Sequence, residues 1–268
     1  MIQEAARKVS SWVGRESKVI AAARPVYERV LNGLTFGRGV AWSINGIACR
    51  IDARCRSAMG QMYDPEAIDF LRKAIRPGFT CYDVGANLGV YAIQFSHLVG
   101  PNGRVVAFEP NPYTLRMLRF HVAINNLANV EVVPAAVSDA SGEADFYASE
   151  WDGMGRMGAP NQNLERTERI SVPITTIDEH VARTGFVPNL ILIDIEGFEI
   201  AALEGGKNTL LKHRPTVVVE MHPNVWNSAG TDRGRAEYLM RELGLWPEPF
   251  LAGRDPFRDH GLVVLRPA

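Results

Sequence analysis

A chain of 268 residues, 46% hydrophobic and 22% charged, is long enough for one sizeable core and one catalytic domain with an extension. Its 29 basic and 30 acidic side chains leave a net charge of −1, so no global field draws in nucleic acid or an anionic membrane surface, and a neutral or locally recognised small substrate fits better. Three cysteines over this length argue against a disulfide framework and point to a reducing compartment, the cytoplasm.

The first thirty residues are mixed in charge, are interrupted by Gly14 and Pro25, and hold no apolar block long enough for a signal or a membrane span. Their apolar positions recur at roughly helical spacing, which predicts a helix packed on the domain or on a second copy of the chain in a homo-oligomer, in preference to a membrane surface. VAWSINGIACRID follows as two β-type runs about Asn45-Gly46, a pair that tolerates positive φ at both central turn positions, so a hairpin is predicted. Cys49 and Cys55 have no second Cys or His pair at zinc spacing and read as structural. Asp64-Pro65-Glu66 then opens a short helix to about Ala74, with Asp64 as N-cap and Pro65 at the first helical position. Residues 1–76 are thus an N-terminal helix and β-hairpin extension, and residues 77–268 the main domain.

From Phe79 buried strands alternate with amphipathic helices, the pattern of an α/β, Rossmann-like parallel sheet covered on both faces. The strands are TCYDVG (with Cys81 in the core), RVVAFE, VEVVPA, NLILIDI and PTVVVEM; the helices are 90–98, 112–126, 199–212 and 233–243. Between the third and fourth strands, residues 141–174 predict two extra strands around a Gly/Met/Asn-rich loop at 152–163, readable either as a lid or as an ordinary disordered insertion. GLVVLRP is a last strand with an antiparallel partner near 246–251.

The chemistry collects at the carboxyl ends of these strands, where an open α/β sheet binds its ligands. CYDVGANLG gives a strand, a turn with Gly85, Asn87 and Gly89, and a helix, but Asn87 and Val90 break the dinucleotide fingerprint. Asp83 before that turn disfavours a pyrophosphate and favours an ammonium, while Asn87 enters the left-handed region cheaply. Glu109, ahead of Pro110 and Asn111, ends the next strand about 20 residues on, where an acid accepts the hydroxyls of a ribose diol. Small residues Ala135 and Ala136 leave a flat slot for an adenine ring, with Val137 against it and Ser138 or Asp139 at its amino edge; packing explains small residues there almost equally well. The apolar fourth strand delivers Asp194 and Glu196, and the fifth Glu220 and His222, so that carboxylates cluster where charge is expensive. Glu199 reads as ordinary first-turn capping.

CYDVGANLG, VVAFEPNP, PAAVSD, VPITTIDEH, IDIEGFEIAALEGG and RPTVVVEMHP resemble, in order, the signature of the FkbM-type family of class I S-adenosylmethionine-dependent methyltransferases, over about 79–223. The resemblance implies a seven-stranded, mostly parallel sheet with its final strand antiparallel, S-adenosylmethionine as cofactor, and O-methylation of sugar or natural-product hydroxyls. It places Asp83, Gly85, Asn87 and Gly89 at the methionine end of the cofactor. Glu109, with Pro110 and Asn111, falls at the ribose, Ala136 and Val137 near adenine, and Asp194 with Glu196 at the reacting centre. The family frequently has a lysine two places before that aspartate; here Leu192 stands there. Methyl transfer to an alcohol needs positioning and a base, and Glu196, Glu220 and His222 are the candidates, with Asp194 turned toward the cofactor. Mg²⁺ held by three acids is the less favoured alternative, and no metal ligand is assigned. The rival readings are N-methylation and a non-catalytic cofactor-binding scaffold.

Overall fold

The computed structural model describes residues 18–35, 37–149, 156–157 and 167–268. Helix α1 (Lys18–Leu34) precedes the hairpin of β1 (Val40–Ile44) and β2 (Ile47–Ile51). Asn45 (φ 49°) and Gly46 (φ 83°) turn it as expected. The hairpin buries Val40, Ile44 and Ile51 against Val90, Ile93 and Met117 of the main domain. Each such side chain contributes roughly 1.5–3 kcal/mol on transfer from water. Helix α2 (Pro65–Ala74) begins at the expected proline, but the Asp64 side chain does not cap it. That carboxylate instead accepts from the Tyr91 hydroxyl at 2.9 Å, and Asp64 itself sits at φ 39°.

The main sheet contains β3 (Thr80–Val84), β4 (Arg104–Phe108), β5 (Val130–Val133), β10 (Leu190–Ile193), β11 (Thr216–Met221), β12 (Leu245–Pro249) and β13 (Gly261–Pro267). Their order is β12-β13-β11-β10-β3-β4-β5. The central pairs are parallel, while β13 runs antiparallel between β11 and β12. Both faces are covered, so the inner strands are mainly apolar, with charge confined to their ends. Tyr82 and Val84 of β3 join one core with Val106 and Phe108, whereas Cys81 joins the opposite core with Val105, Leu190 and Leu192. Helices α3 (Val90–Val99) and α4 (Pro112–Ile124) follow β3 and β4, and α8 (Arg233–Leu243) precedes β12.

Two regions depart from expectation. The predicted helix over 199–212 is two helices, α6 (Glu199–Glu204) and α7 (Lys207–His213), because the chain bends at Gly205 to lie against the Ser138 carbonyl, where a Cβ would collide. The insertion is a four-stranded sheet in the order β6-β9-β7-β8, formed by β6 (Ala136–Val137), β7 (Gly142–Ser149), β8 (Arg156–Met157) and β9 (Thr167–Thr175). Apart from 156–157, the Gly/Met/Asn-rich loop lies outside the described residues, as do residues 1–17. Helix α5 (Ile177–Thr184) returns the chain to β10, with the Thr176 hydroxyl accepting from Glu179 N at 3.0 Å.

Candidate active site

The carboxyl ends of the central strands open onto a cavity of about 300 Å³, at the lower bound of ordinary small-molecule sites. Gly85, at φ 91°, lets the exit of β3 touch the exit of β10, since a Cβ there would run into the Asp194 carbonyl oxygen. Asn87 takes the left-handed conformation (φ 48°), and Gly89 starts α3. Asp83 lies fully buried behind this turn, and neither of its carboxylate oxygens makes a well-formed hydrogen bond, Ala92 N offering only a weak one. Burial, and then the charge of Glu109, push its carboxyl up to about 7. The side-chain oxygen of Asn87 is likewise buried and unpartnered.

Glu109 is 5% exposed at the end of β4. Its Oε2 accepts from Asn87 N at 2.7 Å, and its Oε1 from Asn111 N at 2.8 Å and the Thr114 hydroxyl at 2.9 Å. Burial raises its pKa against the lowering effect of those bonds. A carboxylate has about four acceptor positions, so three are filled and one on Oε2 is left for a ligand hydroxyl. Pro110 lines the cavity directly, while Asn111 stands behind it and caps α4 through Tyr113 N. Ala135, Ala136 and Val137 form a small-residue wall, facing Phe146 and Met157 of the four-stranded sheet. Ser138 turns away, its N donating to the Thr175 carbonyl and its hydroxyl to Asp139.

The opposite wall is acidic. Asp194, Glu196, Glu220 and His222 all line the cavity, together with Tyr63, Ile195 and His260. Glu196 is held at φ 50° before Gly197 (φ 106°), a left-handed placement that costs a residue with a Cβ about 1–2 kcal/mol. Burial, then the neighbouring Glu220, lift the Asp194 carboxyl well above the usual range, and His222 opposes them. His222 is 5% exposed; its Nδ1 donates to Glu199 Oε1 at 2.7 Å and, more weakly, to the Glu220 carbonyl at 3.1 Å. Its Nε2 stands 4.0 Å from Asp194 and 3.9 Å from Glu196. Burial alone depresses the imidazole, but the Glu199 bond and charge, then Asp194 and Glu196, prevail and raise it to about 9.

The structure therefore gathers Gly85, Asn87, Glu109, Pro110, Ala136, Val137, Asp194, Glu196, Glu220 and His222 around one space, with Asp83, Gly89 and Asn111 just behind it. Four participants escape the sequence. Glu199 is fully buried and bonded to His222, because α6 begins facing β11 rather than solvent. Tyr63 reaches the cavity from the extension, clamped by Asn45, whose side chain bonds both Tyr63 N and Tyr63 O at 2.9 Å. His260 stacks on His222, centroids 4.5 Å apart, and donates to Glu220 at 2.8 Å. Phe146 supplies apolar cover. Only the Asn45-Gly46 turn carries a local signal for any of these. Glu220, His222 and His260 bring ligand-type atoms within 4.8 Å of one another; since His260 and Glu220 already satisfy each other, we assign them no metal. Leu192, where a lysine was the common alternative, is packed in the core.

The methyltransferase FkbM domain family matches residues 83–244, 162 of the 268. Over 153 residues the chain is 29% identical to the 2-O-methyltransferase NoeI of Sinorhizobium fredii, covering 52% of this chain and 62% of that one. It is 28% identical over 221 residues to the hexuronic acid methyltransferase AglP of Haloferax volcanii, covering 79% and 84%. To the 31-O-demethyl-FK506 methyltransferase FkbM of Streptomyces tacrolimicus it is 29% identical over 176 residues, covering 55% and 67%. The chain thus spans less than two thirds of the first of these relatives.

Proposed function

This chain belongs to the FkbM methyltransferase family, and from that premise we propose that it transfers a methyl group from S-adenosylmethionine to a hydroxyl of a sugar or another small natural product. One observation carries this reading: a single cavity has a glycine turn and a strand-end glutamate on one side and a carboxylate–histidine cluster on the other. By name, two of the relatives above methylate an oxygen, at a 2-O and a 31-O position, and the third acts on a hexuronic acid, which supports an oxygen acceptor on a sugar or natural product.

The residues present fit the donor. Asp83 keeps two buried carboxylate oxygens with no well-formed hydrogen bond, and Asn87 one unpartnered amide oxygen, at the turn where a cationic methionine moiety would lie. Such groups cost free energy until a cation or donor meets them. Glu109 has its one vacant acceptor position for a ribose hydroxyl, and Ala135, Ala136 and Val137 leave room for a flat ring. Bound there, S-adenosylmethionine supplies an electrophilic methyl on a good leaving group, so the protein's share is alignment and proton removal. Asp194 bounds the donor side of the reacting space, and Glu196, Glu220 and His222 the acceptor side. An amine acceptor needs only to be neutral and calls for no strong base, whereas this wall carries carboxylates and an imidazole able to take a proton, which favours oxygen over nitrogen.

On this reading residues 77–268 bind the donor and residues 1–76 shape the acceptor side through Tyr63. The three free thiols, all buried, suit a reducing compartment such as the cytoplasm. Among the described residues no helix is long and apolar enough to cross a membrane. Calorimetry with S-adenosylhomocysteine should show saturable one-site binding that Glu109→Ala weakens at least tenfold. An isotopic-methyl assay on matched alcohol and amine acceptors should label the alcohols. Binding unchanged by Glu109→Ala, or label on amines alone, sinks the proposal.

A further inference from the structure

We propose that Glu199 is a positioning residue that fixes His222 with its proton on Nδ1, leaving Nε2 as the base that takes the acceptor's hydroxyl proton. This rests on the O-methyl transfer reading above, but its structural core does not.

Glu199 occupies the first turn of α6, where an acid ordinarily faces water and needs no burial. Here it is 0% exposed and fully engaged: Oε1 accepts from Gly197 N at 2.7 Å and from His222 Nδ1 at 2.7 Å, and Oε2 accepts from Trp226 Nε1 at 3.1 Å. The Trp226 and Gly197 bonds anchor the carboxylate from two directions, so it holds the imidazole at a set angle. A buried carboxylate is destabilising unless paired, and among the described residues the titratable partner it bonds is His222.

The bond decides the tautomer. With Nδ1–H committed to Glu199, a neutral ring presents its lone pair on Nε2, the nitrogen nearest Asp194 and Glu196. In the transfer step the acceptor oxygen forms its bond to the methyl carbon while the carbon–sulfur bond breaks, its electron pair staying on sulfur. The hydroxyl proton passes to Nε2 of the neutral ring, a minority form at pH 7 that grows as pH rises toward 9, and the resulting imidazolium is stabilised by Glu199. The charged and titratable groups facing the ring are Glu199 from α6, Asp194 and Glu196 after β10, Glu220 of β11, and His260 stacked from the segment before β13.

The test is ¹⁵N NMR of histidine-labelled full-length protein, free and with saturating S-adenosylhomocysteine. The wild-type ring is expected to titrate above pH 8 and, when neutral, to carry its proton on Nδ1. E199Q keeps the shape but removes the charge and faces Trp226 Nε1–H with an amide donor, so the acid constant of His222 should rise tenfold or more while the circular dichroism stays native. A neutral wild-type ring protonated on Nε2 overturns the proposal, and this readout needs no variant. So does an E199Q protein with native circular dichroism and an unmoved His222 titration. Failure of S-adenosylhomocysteine to bind the wild type would sink the donor reading instead, leaving the tautomer result to stand or fall alone.

Discussion

Asp83 shows how a single side chain can be kept at odds with its surroundings. Its ionisation, moved from an ordinary 3.8 to about 7 by burial and then by Glu109, corresponds to roughly 4 kcal/mol between the two protonation states at 1.36 kcal/mol for each pH unit. The folded protein holds the proton between pH 3.8 and 7 while the unfolded chain has lost it, so the penalty is absent near pH 4 and complete above 7. Asp83→Asn is therefore expected to raise the Tm of the ligand-free protein by several degrees at pH 8 and by almost nothing at pH 4, as followed by calorimetric melts. The same change should weaken S-adenosylhomocysteine binding at least tenfold. A gain independent of pH would mean that packing, not charge, is responsible. Asp83 and Glu109 were legible in the sequence because each ends a strand beside a glycine turn or a proline. Glu199 was not, because the spacing of IEGFE is equally that of a solvent-facing cap; only the direction in which α6 leaves the turn decides.

At the scale of elements, two turns carry the site. The exit of β3 lies against the exit of β10 at Gly85, so Gly85→Ala must push the two strand ends apart. The outcome expected is a folded protein, with Tm lower by several degrees and no measurable S-adenosylhomocysteine binding by calorimetry. The hairpin turn holds Tyr63 through Asn45. Asn45→Ala strips one backbone donor and one acceptor of their partners, at about 1–3 kcal/mol. It should leave S-adenosylhomocysteine affinity within threefold of wild type and raise the KM for the acceptor, because Tyr63 stands on that side. A loss of donor affinity as large as the rise in KM would refute the division of labour. The strands and most helices were readable from their periodicity, since a parallel sheet writes itself as apolar runs. The break at Gly205 and the ordering of β6 to β9 into one sheet were not, because both depend on contacts between segments distant in the chain.

For the molecule as a whole, two of the strongly shifted buried groups, His222 and Asp83, pull the same way. His222, raised from 6.5 to about 9, contributes stability that is complete below pH 6.5 and lost as pH rises through 9, and Asp83 withdraws its contribution between 3.8 and 7. The ligand-free protein should accordingly melt at progressively lower temperature from pH 5 to pH 9, and a Tm that rises over this range would contradict both assignments. S-adenosylhomocysteine at a hundred times its Kd should add about 2.7 kcal/mol and raise Tm by several degrees. Chelators should leave methyl transfer unaffected if His222 is the base.

The antiparallel strand β13 has a further effect in time. It slots between β11 and β12 although it is the latest of the seven in chain order, so a growing polypeptide on the ribosome must expose the bare edge of β11 until residues 261–267 emerge. His260 and the wall it shares with Glu220 arrive with that same hairpin. Translation stalled before this point should yield a nascent chain that sticks to chaperones and has no finished reaction chamber.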